Sequence, residues 1–177
     1  MESALTLNDG AAVKYQLAQC NIARAKAPLE HDVMAGFVAR LDEINSLAEG
    51  SPGFVWRLKE DSGNATSIQA FDDPLIIVNL SVWESPEHLR AFVYRSDHIQ
   101  VMRQRRSWFE RFDGVYLALW WVPEGHRPTV GEAKERLAHR QQHGDSPRAF
   151  SFASLHPAPN QPDRAPVSNF ADPCPAN

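Results

Sequence analysis

The sequence predicts an α+β fold of the ferredoxin-like, split βαβ kind, with an extra helix and a short strand at its C-terminal end. Three observations carry this. Stretches of alternating or continuously apolar character lie at 13–22, 53–58, 76–83 and 115–122, as expected of strands. Helically spaced apolar residues fill the gaps between the first and second and between the third and fourth of these stretches. The middle pair is joined instead by a polar connection with glycine and proline, the composition of a hairpin loop. The resulting order, β-α-β-β-α-β and then α-β, is the split βαβ arrangement with one added unit.

The first strand, VKYQLAQCNI, sets Tyr15, Leu17, Gln19 and Asn21 on one face and Gln16, Ala18, Cys20 and Ile22 on the other. Pro28 can open a helix, where its missing N–H costs nothing. Val33, Phe37, Leu41, Ile44 and Ala48 then recur at helical spacing until Gly50 and Pro52 stop the run. GFVWRL (53–58) is the second strand, KEDSGNATSIQAFDDP the connection, and IIVNLSVW (76–83) the third strand. Ser85 and Pro86 supply a hydroxyl cap and a proline for the first turn. That helix runs towards Arg95, bends at Ser96-Asp97, and restarts to about Phe112 before Gly114. VYLALWWV (115–122) is the fourth strand, closed by Pro123. Thr129 and Glu132 have capping-box spacing and open a helix from Val130 to Gln142. Ala149–Leu155 alternates and is expected as a short fifth strand.

On the third strand Val78, Leu80 and Val82 read as the helix-covered face. The opposite face, with Trp56, Trp83 and one of Trp120 or Trp121, is then left for a second subunit to cover, so a homodimer is expected. Domain organisation follows: a frayed segment over 1–12, one domain over 13–155, and a Pro-rich tail over 156–177 expected to be disordered.

Composition narrows the function classes. The chain has 177 residues, 43% hydrophobic and 23% charged, with a net charge of −4. That suits one soluble domain and gives no global attraction to nucleic acid or to an anionic membrane. Neither Cys20 nor Cys174 belongs to a CxxC pair, so no metal site is expected. No signal peptide and no run near the roughly 18 apolar residues of a membrane span is visible, which leaves the cytoplasm as the default location. Dinucleotide, P-loop and GxSxG signatures are missing from the sequence.

The candidate site centres on His98. At helical spacing it shares a stripe with Val101, Met102, Arg105, Phe109 and Phe112, which should face the sheet. A restarted helix N-terminus favours its neutral form. Neutral imidazole can then act as a base, a hydrogen-bond donor or a ligand, or sit in the core bonded to a carbonyl. Arg105, on the same side, can clamp a carboxylate or phosphate or make an internal salt bridge. Arg103, Arg106 and Arg111 read as a solvated face. Asn79, Ser81 and Trp83 mix polar and aromatic groups, as a ligand cavity does and as a dimer interface also does. Gln19, Asn21 and Trp56 can join them. His126 reads as a loop-ordering group or as a residue over a cavity mouth.

YQLAQCNIARAKAPL, PGFVWRL, NLSVWES, FVYRSDHIQVMRQRRSWF and LALWWVPEGHRPTVGEAKERL resemble a bacterial family of unknown function over about residues 14–155. That family is similar, more distantly, to the dimeric α+β-barrel superfamily, which includes antibiotic-biosynthesis-type monooxygenases, haem proteins, isomerases and stress-response barrels. Trp83-Glu84-Ser85 followed by Ser96-Asp97-His98 looks like the monooxygenase branch, whose members often place such a histidine at a cavity between sheet and helices. The resemblance implies an enzyme of oxygenation or isomerisation acting on a small apolar or aromatic molecule. Here His98 would be catalytic. Gln19, Asn21, Trp56, Asn79, Ser81, Trp83, Met102 and Arg105 would hold the ligand. Two alternatives stay open: a non-catalytic dimeric binding protein for haem or a hydrophobic metabolite, and a structural barrel with a filled core. No cofactor is required by the sequence, and haem stays possible because one axial histidine has no spacing motif.

Overall fold

Strand β1 (Tyr15–Arg24) is central, and the register around it organises the chain. The computed structural model describes residues 12–60, 63–94 and 104–161. His98, Met102, the expected bend at Ser96-Asp97, residues 1–11 and the chain from 162 onward lie outside the described residues. β2 (Phe54–Arg57), β3 (Ile76–Trp83) and β4 (Leu117–Pro123) complete a four-stranded sheet of order β2-β3-β1-β4, antiparallel at every junction. The sheet does not close on itself. Between β1 and β2 run a 3-10 turn (Asp32–Met34), α1 (Ala35–Val38) and α2 (Leu41–Glu49). α3 (Pro86–Val93) follows β3, and residues 104–108 are helical again. α4 (Val130–His143) follows β4.

Both expected helix starts appear. Ser85 Oγ accepts the His88 N–H with Pro86 in the first turn, and Thr129 Oγ1 accepts the Glu132 N–H at 3.1 Å. The first helical region differs from the single run expected from Pro28: it starts with His31 capping Val33 and breaks at residues 39–40. The expected fifth strand is reduced to a bridge. Phe150 and Leu119 exchange two backbone hydrogen bonds, and the chain then turns into a 3-10 helix at Phe152–Ser154. Residues 156–161, assigned by sequence to the tail, meet the domain: the His156 carbonyl accepts from Trp121 Nε1 at 2.8 Å, and Ala158 is buried.

The faces are covered differently from the sequence expectation. Leu17, Gln19, Asn21, Asn79, Ser81 and Trp83 share one face by register, and α2 and α3 pack on it through Ala48, Leu89, Phe92 and Val93. The apolar face of Ala18, Cys20, Val78, Leu80, Val82 and Trp120 is covered by Ala133 and Leu137 of α4, with Ile68, Ala70 and Phe71 from the connection. Crossovers between parallel strands are right-handed, so handedness rather than strand polarity chose the face for α2 and α3. The face assigned to a second subunit is thereby covered within the chain, and a homodimer would have to use another surface. Of the expected tryptophans, Trp83 and Trp121 share the face under α2 and α3, while Trp56 and Trp120 lie on the α4 side.

A bulge explains Trp56. Phe54 pairs with Trp83, but Trp56 pairs with Val82, with a register shift between them. One extra residue in a strand turns the following side chains to the other face. Gly53 leads into this strand at φ 74°, where a Cβ would fall 2.1 Å from His88 Cγ, so only glycine fits the approach of α3.

On the α4 side Cys20 is fully buried, and burial pushes its thiol up to about 12. Glu132 accepts from Trp120 Nε1 at 2.8 Å and pairs with His126 Nε2 at 2.8 Å, which makes His126 a tie between its loop and α4. Burial pushes the Glu132 carboxyl up, but hydrogen bonds from His126 and Trp120 and the charges of His126 and Arg136 outweigh it, leaving the pKa below the ordinary glutamate value. A depressed carboxylate stabilises the fold above its unfolded pKa of about 4.3, and that contribution is lost as pH falls through the folded value. The stability gap between wild type and Glu132→Gln is therefore expected to be full at neutral pH and to shrink below the ordinary carboxylate range. Urea titrations at graded pH read this, and a gap that does not change with pH would contradict it. No helix among the described residues is long and apolar enough to cross a membrane.

Candidate functional site

The face under α2 and α3 mixes amides, a hydroxyl and aromatic rings at the centre of a sheet, where buried polar groups must find partners. Gln19 and Ser81 are register partners on β1 and β3, as are Asn21 and Asn79. Trp83 Nε1 donates to Ser81 Oγ at 3.0 Å, Ser81 Oγ donates to Gln19 Oε1 at 2.8 Å, and Gln19 Nε2 donates to Asn21 Oδ1 at 2.6 Å. The chain of bonds runs across the strands from a fully buried indole to the half-buried Asn21. Asn79 makes no side-chain hydrogen bond among the described residues and stands exposed beside Asn21.

Above this strip the helices leave a cavity of about 220 Å³. Its floor includes Gln19, Asn21, Asn79, Ser81 and Trp83. Its walls include Phe54 from β2, Ala48 from α2, Phe92 from α3, and Arg105 and Phe109 from the segment before β4. Trp83 stacks on Phe92 with ring centroids 5.2 Å apart and meets Phe54 edge-on at 5.3 Å. The aromatic side of the cavity is thus held by rings that fix one another.

Two arginines line the space, and they differ. Arg57, on the Ser81 side of the bulge, donates to Glu49 Oε1 at 2.9 Å and to the Gly63 carbonyl at 2.7 Å. Arg105 lies over Phe109 and Tyr116, with its guanidinium carbon 6.0 and 5.9 Å from the ring centroids. Its Nη2 is buried with no hydrogen-bond partner among the described residues. The described lining holds no Asp, Glu, Lys or His, so its charge is positive.

Six of the sequence-derived candidates therefore line one space: Gln19, Asn21, Asn79, Ser81, Trp83 and Arg105. Trp56 does not, because the bulge turns it to the α4 side, and Phe54 takes the place expected for it. His98 and Met102 lie outside the described residues. Asn45 was missed. It lines the cavity and donates to Asn64 Oδ1 at 2.7 Å, tying α2 to the connection. Its signal was a polar residue four positions after Leu41 and three before Ala48, within an apolar stripe. Among the described residues no group of three or more His, Cys, Asp or Glu is placed to hold a metal ion.

Solved structures with a similar fold include three short proteins. SnoaB, a cofactor-independent oxygenase from Streptomyces nogalater, is 17% identical, with 64% of this chain and 95% of that one covered and a TM-score of 0.38. PA3566 from Pseudomonas aeruginosa is 8% identical, with 66% and 100% covered and a TM-score of 0.43. NE2512, a protein of unknown function from Nitrosomonas europaea, is 14% identical, with 65% and 94% covered and a TM-score of 0.41. At such scores and identities the likeness says nothing of activity or ligand. A comparison with curated proteins finds no match. Residues 16–166, from β1 past the packed turn at Ala158, match the family described as a domain of unknown function, DUF3291, and the chain belongs to that family.

Proposed function

We propose that the chain is a small-molecule enzyme, of an oxygenating or isomerising kind, that takes an apolar or aromatic metabolite into the cavity between its sheet and its helices. The observation that carries this is the Trp83–Ser81–Gln19–Asn21 chain of hydrogen bonds lying as the floor of an aromatic-walled space. Ligand sites are mostly apolar with a few fixed polar groups that set orientation. A dry cavity of about 150 Å³ takes benzene, so 220 Å³ suits a molecule of one or two rings. Trp83, Phe54 and Phe92 wall the ring, and Gln19, Asn21, Asn79 and Ser81 orient its polar substituents.

His98 is the proposed general base. The ionisable side chains of the described lining are arginines, which stay protonated and cannot accept a proton. A base that removes a proton from a ligand hydroxyl or an activated carbon leaves an oxyanion, and amide donors such as Asn79 can stabilise it. The same lack of a base in the described lining favours a second reading, a binding protein without turnover. A haem would need His98 as its axial ligand, since the described lining offers no His, Cys, Met or Tyr.

Incubation with one- and two-ring hydroxyaromatic compounds tests the proposal, with tryptophan fluorescence reporting binding and oxygen uptake or product mass reporting turnover. At least one compound is expected both to quench and to be consumed. Quenching without consumption across the series would favour the binding protein. Neither response would count against the cavity as a ligand site.

A further inference from the structure

We infer that the molecule bound in this cavity carries a carboxylate and that Arg105 holds it. The inference rests on the cavity being a ligand site, as proposed above. Arg105 Nη2 is buried and has no acceptor among the described residues. A buried charged donor left without a partner is costly, and since Arg105 lines the cavity, a bound ligand can supply the acceptor that the described residues do not. Arg57 does not have this need, since Glu49 and the Gly63 carbonyl already accept from it. The described lining contains no acid that could compete for Arg105.

The surroundings select the kind of anion. Phe109 and Tyr116 flank the guanidinium, which strips water from its faces and leaves its planar fork of N–H groups to be satisfied edge-on. A planar monoanion matches one fork with two parallel hydrogen bonds. A phosphate dianion would call for further free donors of positive charge, and the other arginine is engaged. Aromatic rings wall one side of the remaining space, with Trp83 stacked on Phe92. The ligand class that fits is an aromatic carboxylic acid of one or two rings. Its carboxylate meets Arg105 and its ring lies against Trp83.

Naphthalene-2-carboxylate and naphthalene-2-carboxamide have the same shape and differ in charge, and their affinities can be compared by calorimetry at neutral pH on the full chain. The acid is expected to bind about ten- to a hundredfold tighter than the amide, the range of a charge-assisted pair over a neutral one. Arg105→Gln is expected to abolish that preference, and Arg105→Lys to keep only part of it, since a point charge lacks the fork. Equal affinities in the wild type would overturn the inference and leave the cavity reading standing. A preference that survives Arg105→Gln would also overturn it, because another group would then hold the charge. Binding of neither compound, with the benzene-ring pair benzoate and benzamide as silent, would overturn both readings.

Discussion

Replacing Trp120 with alanine is expected to destabilise the fold by about 3–5 kcal/mol, the range for truncating a buried aromatic in a packed core. Trp120 has no exposed surface and sits where the sheet meets α4. Its indole N–H donates to Glu132 Oε1, and Arg136 lies 5.9 Å above its ring. Alanine would remove the packing and the indole donor to this carboxylate at once, leaving Glu132 Oε1 with only the longer Arg136 contact. Trp120→Phe separates the two effects. It keeps most of the apolar volume and loses only the donor, for an expected cost of about 1–3 kcal/mol. Urea unfolding midpoints read both, with an unchanged m-value marking a true stability change. A Trp120→Ala loss below about 1 kcal/mol, the scale of an ordinary surface change, would mean that α4 does not close this face.

Replacing His98 with alanine is expected to lower kcat by about 10²–10⁴, the usual contribution of a positioned general base, while ligand affinity changes only a few-fold. The split matters because Gln19, Ser81 and Trp83 hold one another through hydrogen bonds that do not involve His98, so the binding floor should survive the change. Steady-state kinetics on any compound the wild type consumes, with fluorescence titration beside it, gives both numbers. If turnover and affinity are both unchanged, the catalytic role of His98 is lost. A loss of affinity with kcat intact would make it a binding group instead.

Much of this arrangement was legible in the sequence where the signal is local. The 76–83 strand keeps the bounds read from its pattern, and the two hydroxyl caps at Ser85 and Thr129 mark the starts of α3 and α4. The polar strip was legible too, because alternation puts Gln19 with Asn21 and Asn79 with Ser81 on one face each. What alternation cannot carry is the relation between strands. The Gln19–Ser81 hydrogen bond depends on register, and the choice of face for α2 and α3 depends on crossover handedness. Trp56 failed for a related reason: a bulge shifts the period by one residue without altering composition. Phe150 and Phe152 alternate like a strand, but only Phe150 pairs with β4 before the chain turns away. Apolar residues on helical spacing also hid the break between α1 and α2, since Phe37 and Leu41 keep their spacing across it.

The central claim is that the space above the Gln19–Ser81 strip takes an aromatic ligand, and an amide-resolved NMR titration with naphthalene-2-carboxylate tests it most directly. The account predicts saturable shifts concentrated at the backbone amides of Gln19, Asn21 and Ser81 and at the indole N–H of Trp83. Shifts confined to the open groove on the α4 side, around Phe71, Phe112 and Leu137, or no shifts at saturating ligand, would contradict it.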